Sequence, residues 1–158
     1  MKSIMVALAA MLSVSQVFAG SGSTTSLNGV YPIVLSHGMF GWGTTDTNSL
    51  IGILNYWGGM DDHLRSRGAI VYAPGKSALQ SNAVRGQELK DKINLFMAAG
   101  GHSKVHIIGH SQGGLDSRYM ISNLAMASKV STLTTLNTPH RGSPIADIVL
   151  SVVPSWLM

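Results

Sequence analysis

The chain has 158 residues, 45% of them hydrophobic and 11% charged, a balance that suits one globular domain and excludes a disordered tail or a membrane-embedded chain. Its formal charge of +4 and pI near 9.6 come from basic residues scattered singly, without aromatic interleaving, so a nucleic-acid surface is not expected. Cysteine is absent, which removes disulfides and thiol chemistry together.

Lys2 precedes an apolar stretch, Ile4 to Val14, that is too short to span a bilayer, and Val17-Phe18-Ala19 supplies a small-residue cleavage site. Residues 1–19 therefore read as a secretory signal peptide cleaved after Ala19, and the expected partners include the secretion machinery. Residues 20–29 read as a loose mature N-terminus, and residues 30–158 as the domain. Pro32-Ile33-Val34-Leu35 is an almost wholly apolar run, the mark of a strand covered on both faces, and it ends in the loop Ser36-His37-Gly38-Met39-Phe40-Gly41. Ala69 to Tyr72 repeats that character. Leu89, Ile93, Phe96 and Met97 mark one face of a helix stopped by Gly100-Gly101. Val105 to Ile108 is the third strand. A helix follows it, with Leu115, Tyr119 and Ile121 to Leu124 available for packing, and Thr132 to Leu136 is the fourth strand. Strands alternating with helices predict a mostly parallel sheet in an α/β domain.

Between the third strand and its helix lies Gly109-His110-Ser111-Gln112-Gly113. A serine hydroxyl attacks an acyl carbon only if a base removes its proton and if it stands clear of the backbone. A sharp strand-to-helix turn provides that exposure, and the residues two before and two after the serine, Gly109 and Gly113, must then be very small. The backbone N–H of Gln112 would open the helix and face a developing oxyanion. A second donor is expected from the loop after the first strand, where we assign the N–H of Met39, with Gly38 allowing close approach and His37 bracing the loop. Arg85 and Glu88, three apart on a helix, are expected to form a local ion pair.

Five segments carry a resemblance. Tyr31 to Gly41, Asn55-Tyr56-Trp57-Gly58-Gly59, Val84 to Leu89, the serine turn, and Thr138-Pro139-His140-Arg141-Gly142-Ser143 together resemble the secreted bacterial triacylglycerol lipases of the α/β-hydrolase fold, over roughly residues 30–150. The resemblance implies a three-layer fold, a lipid or ester substrate met at the surface of lipid aggregates, Ser111 as nucleophile, and Met39 and Gln112 as oxyanion donors.

In that fold an acid and then a histidine follow the serine in chain order. Here the carboxylates beyond Ser111 are Asp116 and Asp147, and the histidine is His140. Asp116 sits five residues into the helix, pointing away from the mouth of the site, and Asp147 comes after His140. His140 reads as a structural loop histidine or a substrate-side contact. His63, His102, His106 and His110 show no metal-ligand spacing, so no metal site or other cofactor is expected in this sequence. The chain thus reads as the N-terminal part of a longer enzyme, with the C-terminal strands missing. The lid and the calcium-binding loop that related lipases carry later cannot be assigned. An apolar stripe at Ile145, Ile148, Val149, Val152, Val153 and Trp156 closes the sequence. Rival readings are a short-chain esterase or polyester depolymerase, because acyl length is set by pocket walls, and a non-catalytic remnant.

Overall fold

A computed structural model describes residues 27–43, 55–144, 147 and 148. The signal peptide, the mature N-terminus up to residue 26 and, apart from Ile148, the closing apolar stripe lie outside the described residues. The elements run β1 (Ile33–Ser36), α1 (Met60–Ser66), β2 (Val71–Tyr72), α2 (Asn82–Gly100), β3 (Val105–His110), α3 (Gln112–Asn123), a 3-10 turn (Ala127–Lys129) and β4 (Val130–Leu136). All four expected strands are present. The second is shorter than its apolar run and starts at Val71; Ile70, half exposed, comes just before it, and its carbonyl accepts the Ile33 N–H at 2.8 Å.

The sheet is parallel, in the order β2-β1-β3-β4. From β1 the chain steps outward to β2, then returns to the other side of β1 to form β3 and β4. The order reverses between β1 and β3, and in open α/β sheets the crevice outside the strand ends at such a point receives ligands. His37-Gly38 leaves β1 there and Ser111 leaves β3. Topology alone brings the two loops together.

Two cores sandwich the sheet. Val34, Val105 and Ile107 pack against Leu89, Ile93 and Met97 of α2 and Met120 of α3, whereas Ile33, Leu35 and Ile108 face Trp57, Met60 and Leu64 around α1. This is a three-layer α/β/α arrangement, with every residue of β1 buried. Leu27 is fastened to the domain: its N–H reaches the Arg67 carbonyl at 2.7 Å and its side chain joins the second core.

Helix α2 begins and ends where its sequence dictates. The Ser81 hydroxyl caps the Val84 N–H, and Gly101 closes the helix at φ 66°, a left-handed conformation that costs glycine little. Its buried face carries Arg85 and Gly86 ahead of Leu89, Ile93 and Met97. At Gly86 a Cβ would come within 3.1 Å of the Asp116 carbonyl oxygen, so α2 and α3 touch there almost backbone to backbone. Close approach also changes the expected face of α3, which buries Gly113, Gly114, Asp116, Ser117 and Met120 rather than Leu115 and Tyr119. Small residues let this helix lie against β1, which a leucine-lined face would hold off.

Candidate active site

Ser111 is the N-cap of α3 and adopts φ 54°, ψ −128°, a region that non-glycine residues enter only under constraint from their surroundings. Its N–H is tied to the Leu136 carbonyl of β4 at 2.9 Å, and its carbonyl accepts the Gly114 N–H at 3.1 Å. The turn is sharp enough that a Cβ on Gly109 would lie 2.7 Å from the Gly114 Cα. Gly113 meets a different neighbour from the one expected. A Cβ there would fall 2.0 Å from the Ser36 carbonyl oxygen and 2.6 Å from that of His37, so its smallness serves the packing of α3 on the end of β1.

The loop after β1 passes directly over the serine. A Cβ on Gly38 would stand 2.8 Å from the Ser111 Cβ. Three donors converge on the Gly38 carbonyl oxygen: His37 Nδ1 at 2.8 Å, Arg85 Nη2 at 3.1 Å and the Gly41 N–H at 3.2 Å. In a trans peptide the C=O and the following N–H point in opposite directions, so a carbonyl anchored inward turns the Met39 N–H outward. Among the described residues nothing accepts from that N–H, nor from the Gln112 N–H at the start of α3, where the first helical amides lack intrahelical partners.

His37 braces this loop. The Lys76 backbone N–H reaches its Nε2 at 2.9 Å, and a backbone N–H can only donate, so Nε2 accepts and Nδ1 carries the proton given to the Gly38 carbonyl. Burial, reinforced by the Lys76 and Arg85 charges, pushes the His37 pKa down to about 3. The ring is therefore neutral at physiological pH, and protonating Nε2 would break the Lys76 bond. Because the unfolded pKa, about 6.5, lies above the folded one, the unfolded chain takes up protons first as pH falls. Stability is then full above that value and declines toward pH 3. Between pH 7 and 5, before ordinary carboxylates titrate, His37 alone is expected to remove about 2 kcal/mol, and His110, shifted the same way by burial, adds to the loss. Urea unfolding at the two pH values measures this; equal midpoints would contradict it.

Beneath the loop lies a buried ionic cluster. Asp116 Oδ2 receives Lys76 Nζ at 2.7 Å and Arg85 Nε at 2.8 Å, and all three side chains are shielded from solvent. Lys76 also donates to Ser36 Oγ and the His37 carbonyl, at 2.7 and 3.1 Å, and Arg85 to the His37 and Ser77 carbonyls. The expected Arg85–Glu88 pair does not form. Arg85 turns inward to Asp116, and Glu88 instead receives the Ser77 N–H and hydroxyl. Burial pulls the Lys76 pKa down to about 8, against the opposing pull of Asp116. Two cations face one carboxylate, and the excess positive charge sits under the peptide that offers the Met39 N–H.

Asp116 is thus committed to the cluster, away from the serine's hydroxyl. His140 is exposed just past the C-terminal end of β4, with Arg118 Nη1 on its Nδ1 at 2.9 Å and Thr135 Oγ1 at 3.1 Å from its Nε2. Neither ring nitrogen meets Ser111. Among the described residues no group bonds the Ser111 hydroxyl, and no three histidine, aspartate or glutamate side chains gather as they would around a metal ion.

Two of the cluster's residues announce themselves in sequence. Arg85 stands four residues before Leu89 on the stripe that continues to Ile93 and Met97, and Asp116 stands four before Met120; a charge on a buried helical face requires a buried partner. Lys76, in an irregular segment, carries no such signal.

A family model for palmitoyl protein thioesterases matches residues 32–150. The chain belongs to that family. Within it, the matched span covers all four strands, the Gly38 loop and the serine turn. Curated triacylglycerol lipases of Pseudarthrobacter phenanthrenivorans and Vibrio cholerae are 40% and 37% identical to this family member; the alignments cover 78% and 98% of this chain but only 37% and 49% of those proteins. It therefore spans between a third and a half of the length of these relatives. The mature form of a Bacillus licheniformis lipase superposes with a TM-score of 0.64 at 24% identity, over 90% of this chain and 52% of that one. That likeness establishes the α/β-hydrolase fold, of which the four strands here are a part.

Proposed function

We propose that this chain carries the nucleophile and oxyanion hole of an exported carboxylic-ester hydrolase, with triacylglycerols and related lipid esters as its substrates. The observation that carries the reading is the strained Ser111, overlain by Gly38 and flanked by two amides, Met39 and Gln112, that have no partner among the described residues. Ser111 Oγ gives its proton to the general base as it bonds the ester carbonyl carbon, and the two N–H groups hold the negative oxygen of the tetrahedral intermediate. The intermediate collapses by breaking its bond to the alcohol, which leaves with that proton, and water then hydrolyses the acyl-enzyme to the free acid and restores Ser111. Since none of the chain's histidines meets Ser111, the general base and its acid are contributed by sequence beyond these residues, for which the length of the relatives leaves room.

The test is hydrolysis by the full-length protein across ester chain lengths, with a long-chain acyl thioester included because of the family's name. Preference for long-chain oxygen esters is expected, together with stoichiometric labelling of Ser111 by a fluorophosphonate. Preference for short soluble esters would transfer the reading to an esterase, and absence of both turnover and labelling would overturn it. Export rests on residues 1–19; the secreted protein is expected to begin at Gly20, and a mass that retained Met1 and Lys2 would refute cleavage.

A further inference from the structure

Gly38 creates a difficulty for an oxyanion hole. The contact with Ser111 forbids a side chain there, yet glycine is the residue with the most backbone freedom to lose. A donor that must be preorganised follows the least constrained residue in the loop. The carbonyl side of Gly38 is restrained by His37, Arg85 and Gly41. On its amide side stands one group, the hydroxyl of Tyr56.

We propose that Tyr56 is a positioning residue whose hydroxyl, anchored on His110, fixes the Gly38 amide and so aims the Met39 N–H at the reacting oxygen; this rests on the reading of Ser111 and Met39 given above. The Gly38 N–H donates to Tyr56 Oη at 3.0 Å. That leaves the phenol one proton to give, and His110 Nδ1 lies 2.7 Å from Oη. Burial raises the phenol pKa and lowers that of the imidazole, which keeps the donor protonated and the acceptor neutral. His110 immediately precedes Ser111, so the chain of bonds runs from the nucleophile's own strand through Tyr56 to the loop above it. The ring is set by edge contacts with His37, Trp42, Trp57 and His110, at centroid distances of 5.8, 5.6, 5.2 and 5.8 Å. With both sides of Gly38 held, the planes on either side of it are fixed, and the Met39 N–H is the group left free.

Tyr56→Phe in the full-length enzyme removes the hydroxyl and keeps the ring. On a soluble short-chain ester, kcat is expected to fall about 10- to 100-fold with KM within about 2-fold, less than the loss from deleting an oxyanion donor outright. Exchange of the Gly38 amide hydrogen should accelerate alongside. His110→Ala, which removes the anchor and one of the four ring contacts, should show the same pattern at about 5-fold, and it carries the test if Tyr56→Phe does not fold. Unchanged kcat and unchanged Gly38 exchange would overturn the proposal, as would a rise in KM alone, which would make Tyr56 a substrate contact. A lower melting temperature with normal kcat would reduce the hydroxyl to a structural bond, also against it. Ser111→Ala separates the two readings: if it keeps activity, the assignment of the site fails, whereas if it is inactive while Tyr56→Phe matches wild type, the clamp alone fails.

Discussion

Replacing Ser111 by alanine in the full-length protein is expected to lower ester turnover by at least about 10⁴-fold, the loss typical of a missing triad nucleophile. Stability should hardly change. The Ser111 hydroxyl bonds no described group, and its removal leaves the backbone at φ 54° as strained as before. Ser111→Gly separates the two contributions, because glycine occupies that region without the Cβ penalty and should raise stability by about 1 kcal/mol while being equally inactive. Initial rates and urea midpoints for the two variants measure both effects. Wild-type turnover in either would remove Ser111 from the chemistry, and a midpoint for Ser111→Gly below wild type would show that the turn holds no strain.

The largest stability effect is expected at Asp116. Asparagine there has nearly the same shape but leaves Lys76 and Arg85 buried without a counter-charge, and breaking such a pair costs about 3 to 5 kcal/mol. Part of this should return in the double variant Asp116→Asn/Lys76→Met, since one of the stranded cations is then gone. The comparison of single and double variants distinguishes electrostatic compensation from simple packing: equal losses in both would show that the carboxylate fills space and no more. Because the two cations also grip the His37 and Gly38 carbonyls, Asp116→Asn should reduce kcat in the folded protein as well. A loss below about 1 kcal/mol would mean that Lys76 sheds its proton at little cost.

Much of the scaffold was legible because burial and backbone geometry write themselves into local sequence. The unalternating run Ile33-Val34-Leu35 declares a strand covered on both faces, the Gly100-Gly101 pair declares the end of α2, and glycines two residues either side of Ser111 declare a turn that admits no side chains. Chain order likewise puts Gln112 directly after the serine turn and Met39 in the loop that follows β1, the two positions from which the proposed donors are drawn. These features depend on residues a few positions apart, whose spacing the sequence displays directly.

What holds the loop over the serine was decided only in three dimensions. Arg85 and Glu88 look like a helical ion pair when their neighbours are unknown, but the near-contact of α2 and α3 at Gly86 places Asp116 within 2.8 Å of the guanidinium, while Glu88 is taken up by the Ser77 N–H and hydroxyl. Gly113 looks like half of a local turn, yet its space is claimed by the carbonyls of Ser36 and His37, 77 and 76 residues earlier in the chain. Tyr56 and Lys76 sit in irregular segments, where no periodicity tells which way a side chain points. Their partners, Gly38, His110, Ser36 and Asp116, are 18 to 54 residues away. Periodicity records which face of an element is buried; which buried groups then meet is set by how the elements pack.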